Sequence, residues 1–304
     1  MWFRNLLVYR LAAGASLTAE ALEASLAQGA LQPCGSFEME RRGWVRPRSE
    51  GGYVHAIERQ WLIALGVNQK LLPAAVVNQT VKERAEALAK QQDHPPGRKQ
   101  LRELRERTLA ELMPKALTRR RTMHAWIDQV NGWLVVDSAA EKKAEELLEA
   151  LRKAHPDFTA KRLDTGRSPA STMTAWLSAG DAPDGFTIDQ DLELRSSGDN
   201  PGAVRYVRHP LEGRDIRDHI TAGKTATRLG LTWKDRISFM LTEQLQVKRL
   251  VFLNVIKEEN QTQTEDAEEQ FDIEFALMSG ELALLLADLT KALGGEKKRE
   301  SEGN

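Results

Sequence analysis

Trp126-Ile127-Asp128-Gln129-Val130-Asn131-Gly132-Trp133-Leu134-Val135-Val136-Asp137 sets Asn-Gly between two apolar runs. That arrangement reads as a β-hairpin, because Asn and Gly tolerate the backbone of a tight reversal while β-branched and aromatic flanks suit a pleated surface. Ser138 follows, with Glu141 three residues later, so the spacing predicts a capped helix over Ala139–Ala154. A strand pair feeding a helix is an α/β unit, and the rest of the chain extends it on both sides.

Upstream, Val76–Lys90 and Arg98–Leu112 are helical in pattern and separated by the breaker Asp93-His94-Pro95-Pro96-Gly97. Bracketed by Pro73 and Pro114, they read as a helical hairpin projecting from the body. Residues 2–11 read as an opening strand, and Ser16–Leu26 as a helix capped by Ser16 or Thr18. Tyr53–Val67 holds two runs that look like paired strands. Downstream, 156–170 reads as an extended connection and a domain boundary. Helical segments follow at Thr172–Ala179 and Asp215–Ala222. Strand-like runs fall at Phe186–Arg195, Ala203–Arg208, Ala226–Leu231, Arg236–Leu241 and Val247–Phe252. An acidic helical stretch from Glu265 ends in the leucine-rich Gly280–Leu293, stopped by Gly294-Gly295.

The expected fold is thus α/β (α+β), with mixed sheets, flanking helices and a projecting helical hairpin. Three domains are expected: a central one over 1–73 and 115–165, a tip over 74–114, and a base over 166–304.

Bulk properties exclude some classes of function. The 304 residues are 41% hydrophobic and 29% charged, with a formal net charge of −1, so nothing global announces a polyanionic partner. Cys34 is the only cysteine, which rules out an intrachain disulfide and a zinc ribbon and suits a reducing compartment, with Cys34 read as a buried small residue. No run approaches the roughly 18 apolar residues of a membrane span, and Arg4 and Arg10 interrupt the apolar amino terminus. The expected location is the cytoplasm.

The charge is polarised. Between Arg98 and Arg121 nine basic residues stand against three acidic ones: Arg98, Lys99, Arg102, Arg105, Arg107, Lys115, Arg119, Arg120 and Arg121 against Glu103, Glu106 and Glu111. At helical spacing Arg98, Arg102 and Arg105 share one strip, and Leu101, Leu104 and Leu112 share the next, facing the first hairpin helix. Arg119-Arg120-Arg121 carries the basic feature into a following loop. Adjacent like charges cost stability unless something neutralises them, so this run points to a phosphate backbone more than to a merely solvated face. Arg214, Arg217, Lys224, Arg228, Lys234 and Arg236 form a diluted second group that could line another wall of the same surface. From Lys257 to Asn304 five basic residues face thirteen acidic ones, expected to point outward or to serve dimer contacts.

Candidate chemistry is thin. Thr221-Ala222-Gly223-Lys224-Thr225 resembles the tail of a phosphate-binding loop, but Asp218 stands where the first glycine belongs. The six histidines lack metal-ligand spacing. Asp128 and Asp137 bracket the hairpin and could approach one another as nuclease ligands, although turn and cap duty is the preferred reading. Most of the seven tryptophans lie in apolar runs and belong to the core, which favours duplex backbone binding over base stacking. No catalytic residue, metal or cofactor is assigned.

Several of these blocks carry a family likeness. The opening Trp2-Phe3-Arg4-Asn5-Leu6-Leu7-Val8-Tyr9-Arg10-Leu11, Pro33-Cys34-Gly35-Ser36, Gly43-Trp44-Val45, Leu71-Leu72-Pro73 and Trp126-Ile127-Asp128 with Val130-Asn131-Gly132 resemble the RdgC family. So do Lys142-Lys143-Ala144-Glu145, Asp218-His219-Ile220 with Ala222-Gly223-Lys224, Lys248-Arg249-Leu250, and Leu277-Met278-Ser279-Gly280-Glu281-Leu282, in the same order along nearly the whole chain. The resemblance implies a ring-shaped homodimer with a basic hole that encircles or lies along duplex DNA with little sequence preference. It also implies association with the nucleoid and restraint of RecA-promoted strand exchange. The family offers no simple motif for DNA contact, so the expected contacts are those of the charge pattern: Arg98, Lys99, Arg102, Arg105, Lys115, Arg119, Arg120, Arg121, Lys224, Arg228 and Lys234. Single-stranded DNA is a possible further partner. Two alternatives stand beside this reading: a module that binds the recombinase directly, and a metal-dependent nuclease using Asp128, Asp137 and a third carboxylate.

Overall fold

A computed structural model describes residues 1–12, 17–197, 202–253 and 266–297. The chain runs β1 (Leu6–Leu11), α1 (Ala19–Gln28), β2 (Glu40–Val45), β3 (Val54–Ile57), β4 (Gln60–Leu71), α2 (Ala74–Gln92), α3 (Arg98–Leu112), β5 (Leu117–Asp128), β6 (Trp133–Asp137) and α4 (Glu141–Ala154). It continues through β7 (Ala160–Arg162), α5 (Pro169–Ala179), β8 (Phe186–Ser196), β9 (Ala203–Tyr206), α6 (Arg214–Thr221), β10 (Lys224–Trp233), β11 (Ile237–Thr242), β12 (Val247–Phe252) and α7 (Ala267–Ala292). No described helix is long and apolar enough to cross a membrane.

All the strands join one twelve-stranded sheet in the order β2-β4-β5-β6-β1-β12-β11-β10-β8-β9, with β3 on β4 and β7 on β1. Mixed sheets were expected, but every paired strand is antiparallel. The reason lies in the connections: β3–β4, β5–β6, β10–β11 and β11–β12 are joined by short reversals, which only antiparallel neighbours can use. The stretch 156–170, expected as a plain connection, contributes β7, which returns along β1 from Tyr9↔Arg162 to Leu11↔Ala160.

The two faces of the sheet bury different residues because side chains alternate along each strand. Leu7, Tyr9, Trp44, Ile63, Ala125, Ile127, Leu134 and Val136 face α1 and α4. Leu6, Val8, Leu62, Trp126, Val135, Leu229, Leu231 and Val247 face the opposite side, where Met173 and Leu177 of α5, Ile216 of α6 and Phe275 to Leu289 of α7 cover them. This larger cluster runs through both halves of the chain. β1 meets β12 at a single register pair, Leu6↔Val247, so α7 laid across the seam supplies much of the cohesion.

The hairpin is present, with a difference. Its loop is Gln129–Gly132, closed by Asp128↔Trp133, and only Gly132 has positive φ, at 71°. Asp128, fully buried, fixes the reversal by accepting from the backbone N–H of Val130 (2.8 Å) and Asn131 (3.0 Å) and from Asn131 Nδ2 (2.7 Å). The expected capping box is absent. The Ser138 hydroxyl is taken by its neighbour Ala140, accepting from its N–H and donating to its carbonyl, so α4 begins two residues later than expected, with Ala140 at its N-cap and no side-chain cap. At α1 Thr18 is the cap, its Oγ1 accepting from Ala21 N at 3.2 Å; Ser16 and Glu265 lie outside the described residues.

Candidate nucleic-acid interface

The arm formed by α2 and α3 is inserted between β4 and β5, whose strands pair through twelve consecutive positions from Gln60↔Asp128 to Leu71↔Leu117 without a bulge. Its helices bury little side-chain surface fully, and polar groups bridge them. Within them only Val77 and Thr108 are buried. Arg84 reaches across to Thr108 Oγ1 (3.3 Å) and Glu111 (2.6 Å), and Arg105 donates to Asn78 Oδ1 (2.7 Å). Leu101, expected to face α2 with Leu104 and Leu112, is 38% exposed, whereas Leu104 and Leu112 are half-buried on either side of the buried Thr108.

Arg119, Arg120 and Arg121 were expected in a loop and lie in β5. Arg119 pairs with Gln69, Arg120 with Asn68 and Arg121 with Val67. Alternation therefore splits the run. Arg119 and Arg121 share the sheet face of Ala125 and Ile127, and both are exposed. Arg120 points to the other side, where its Nε donates to Oδ1 of the buried Asn68 at 3.1 Å. Two further arginines continue the rows across β2: Arg42 opposes Val67 and Arg41 opposes Asn68. Both are occupied, Arg42 by Glu40 and Glu146 and Arg41 by Glu38. Sequence reasoning passed over this pair, for which the adjacent Arg-Arg before Gly43-Trp44 was the available signal.

The other expected contacts divide by their partners. Among the described residues no carboxylate lies within 4.0 Å of Arg98, Lys99, Arg119 or Arg121. Arg102 pairs with Glu106 at 3.0 Å and Lys115 with Glu111 at 3.5 Å, both highly exposed, so these ion pairs contribute little and yield readily to another anion.

The second basic group does not form one wall. Lys224 and Lys234 flank the ends of the ten-residue β10, which at about 3.3 Å per residue separates them by roughly 30 Å. Lys224 Nζ lies 3.2 Å from His219 Nδ1. Lys234 stays exposed but is engaged, on Asp288 at 2.9 Å and over the Trp233 ring. Arg228 lies 3.5 Å from Glu193. Between β5 and β10 stand β6, β1, β12 and β11, a gap of roughly 24 Å at about 4.8 Å per strand.

The acidic carboxyl-terminal helix was expected to face outward or to serve dimer contacts, and several of its carboxylates engage groups of the body. Asp272 holds Arg48 (3.0 Å), Glu274 holds the Met1 amino group, Glu281 clamps Arg236 through both oxygens (2.7 and 2.9 Å), and Asp288 accepts from Trp233 Nε1 (2.9 Å). They neutralise cations of the body and seat the helix.

Asp128 and Asp137 do not converge. Asp128 serves the hairpin loop, while Asp137 sits at the far end of β6, opposite Leu6, and accepts from the backbone N–H of Arg4 (3.1 Å) and Asn5 (2.9 Å). Burial holds the Asp137 carboxyl above its ordinary range. Among the described residues no group of three or more His, Cys, Asp or Glu could hold a metal ion. Cys34 is half-buried, its Sγ donating to Asn68 O at 3.3 Å, rather than fully enclosed. Trp44, Trp61, Trp126, Trp133 and Trp233 are buried in the core.

What these features define is a sheet-based α/β protein with a projecting basic arm, its tryptophans committed to packing and its hairpin aspartates to backbone turns. The chain belongs to the RdgC family: a family model described as "Putative exonuclease, RdgC" matches residues 1–296. It is similar to the Recombination-associated protein RdgC of Dechloromonas aromatica (strain RCB), 50% identical over 299 residues, covering 97% of this chain and 98% of that protein. The protein of the same name from Cupriavidus pinatubonensis is 50% identical over 298 residues, covering 98% of this chain and 100% of the relative. That from Janthinobacterium sp. (strain Marseille) is 47% identical over 300 residues, covering 99% and 100%.

Proposed function

We propose that this chain is a recombination-associated, non-sequence-specific DNA-binding protein, not an enzyme. It acts as a ring-shaped homodimer that encircles or coats duplex DNA in the nucleoid, and it restrains RecA-mediated strand exchange by occupying the DNA. The observation that carries this reading is the pair Arg119 and Arg121, two exposed arginines on one strand face with no carboxylate within 4.0 Å among the described residues. Arg98 and Lys99 add to it at the tip of the arm. Such cations bind phosphates and release condensed counterions, a free-energy source indifferent to base sequence. The burial of five tryptophans favours duplex over stacked single strands as the main partner. The similar proteins are named recombination-associated, which supports the recombination side of this reading.

The test is binding of unrelated duplexes over a salt series by the wild type and by the Arg119→Ala/Arg121→Ala variant. Arg120 is left in place because it holds the buried Asn68. We expect similar affinity for every sequence and a steep linear loss with log salt. The slope should become shallower by about 1.8 in the variant, at about 0.9 per phosphate contact. Salt-insensitive or absent binding by the wild type overturns the proposal and leaves direct contact with the recombinase as the reading to pursue.

A further inference from the structure

The sheet face that carries Arg119 and Arg121 is covered by α1 and α4 in the first half of the chain. Over β8–β12 the helices α5, α6 and α7 all lie on the other side, so among the described residues this face is bare. In its middle is a concavity of about 260 Å³ floored by β8, β10 and β11 and rimmed by Asn5, Arg205, Arg228, Lys248 and Arg249. Arg205 opposes Glu193, and Glu193 opposes Arg228, so the three stand in one row across β9, β8 and β10. Lys248 opposes Met240 in the next row. Between Lys248 and Val251 the register shifts, and Arg249 has φ 53°. This bulge breaks the alternation and sends Arg249 to the same rim, within 3.8 Å of Asp191.

Neutralisation inside the concavity is incomplete. Glu193 is shared by Arg195 (2.9 Å), Arg228 (3.5 Å) and the Thr227 hydroxyl (3.2 Å), and Asp191 also accepts from Arg208 N (3.0 Å). Arg205 and Lys248 have no carboxylate within 4.0 Å among the described residues. Four cations thus converge on two carboxylates already divided among other donors. Lys248 bears the strain of this: burial and the neighbouring Arg228 charge both push its ammonium below the usual lysine range, against an opposing pull from Glu141. An oxyanion in the concavity would offset both effects by adding an opposite charge beside the ammonium.

We propose that this concavity is a phosphate-binding subsite, separate from the arm, in which Lys248, Arg205, Arg228 and Arg249 hold a phosphate group. It deepens the DNA-binding reading and rests on it, giving the duplex a second foothold some strands away on the same sheet face.

The measurement is the Lys248 ε-ammonium titration in the wild-type protein, followed by NMR alone, with inorganic phosphate, and with a duplex of arbitrary sequence. A bound phosphate should raise its pKa by about one unit or more. A rise with the duplex only assigns a backbone phosphodiester. A rise with inorganic phosphate as well assigns a general oxyanion site. No rise with either overturns the subsite. In parallel, Arg205→Ala/Lys248→Met should flatten the salt slope of duplex binding by about 1.8, independently of Arg119→Ala/Arg121→Ala. If the arm variant flattens the slope and this one leaves it unchanged, the subsite fails while the DNA-binding reading stands. If the wild type binds no duplex, that reading fails, and the phosphate titration still decides the subsite.

Discussion

His124 lies on β5 opposite Ala64, on the face that looks toward the amino terminus. Burial, with the positive Met1 amino group as a second cause, pushes its imidazole down to about 4. The unfolded chain restores a value near 6.5. Between these limits the unfolded state binds the additional proton, so the stabilising contribution is fully present above pH ~6.5 and is lost as pH falls toward 4, at most about 3 kcal/mol in all. His55, buried against Phe271 and Phe275, is shifted down as well and adds the same sign. Denaturant unfolding of the wild type and His124→Gln between pH 4.5 and 7.5 checks this. The wild type should lose stability on acidification, and the variant should lose less. A constant difference between the two across the range would contradict the assignment.

The elements differ in how openly the sequence displays them. Asn131-Gly132 between valine-rich and tryptophan-rich runs was legible as a reversal, because turn chemistry and burial agree there. Its detail was not, since the loop is set by Asp128, whose role depends on backbone groups that only the closed hairpin presents. β5 was half legible. Residues Ala125–Asp128 alternate over a core, whereas Leu117–Arg121 extend beyond it, and a strand that buries nothing leaves no period-two apolar signal. The helices of the arm were legible by periodicity, but their packing on Thr108 and Arg84 was hidden by the more conspicuous leucines. The sparse full burial of the arm carries an expectation for dynamics, since few fully buried apolar contacts mean a low local opening energy. Amides of α2 and α3 should exchange at least about tenfold faster than those at the centre of β4 and β5. Arg84→Ala should speed the arm further without changing the sheet. Hydrogen exchange read by mass spectrometry resolves both, and uniform protection would refute the expectation.

Across the whole molecule the charge polarity of the chain proves to be internal bookkeeping as much as surface. The acidic helix α7 neutralises Arg48, Arg236, Lys234 and the Met1 amino group while its apolar side closes the larger core. Phe275, fully buried in the cluster shared by both halves of the chain, is the test of that closure. Phe275→Ala should cost about 3–5 kcal/mol, and the loss should appear in a single transition reported by both halves, because the cluster they share is continuous. Denaturation followed by pulsed hydrogen exchange, read on peptides of β4–β5 and of β10–β11, measures it. Two separated transitions in the wild type would show that the halves are not coupled through α7.

The register of the β4–β5 ribbon has one more consequence. The chain leaves the body at Leu71 and re-enters at Leu117, and these residues are direct cross-strand partners. Whatever lies between them is therefore topologically a loop on an already closed ladder, and the entropy of closing such a loop grows only slowly with its length. The arm is in this sense a replaceable cassette. Lineages can lengthen, shorten or recharge it with little effect on the sheet that carries it, so the reach of the arm can evolve almost independently of the stability of the body.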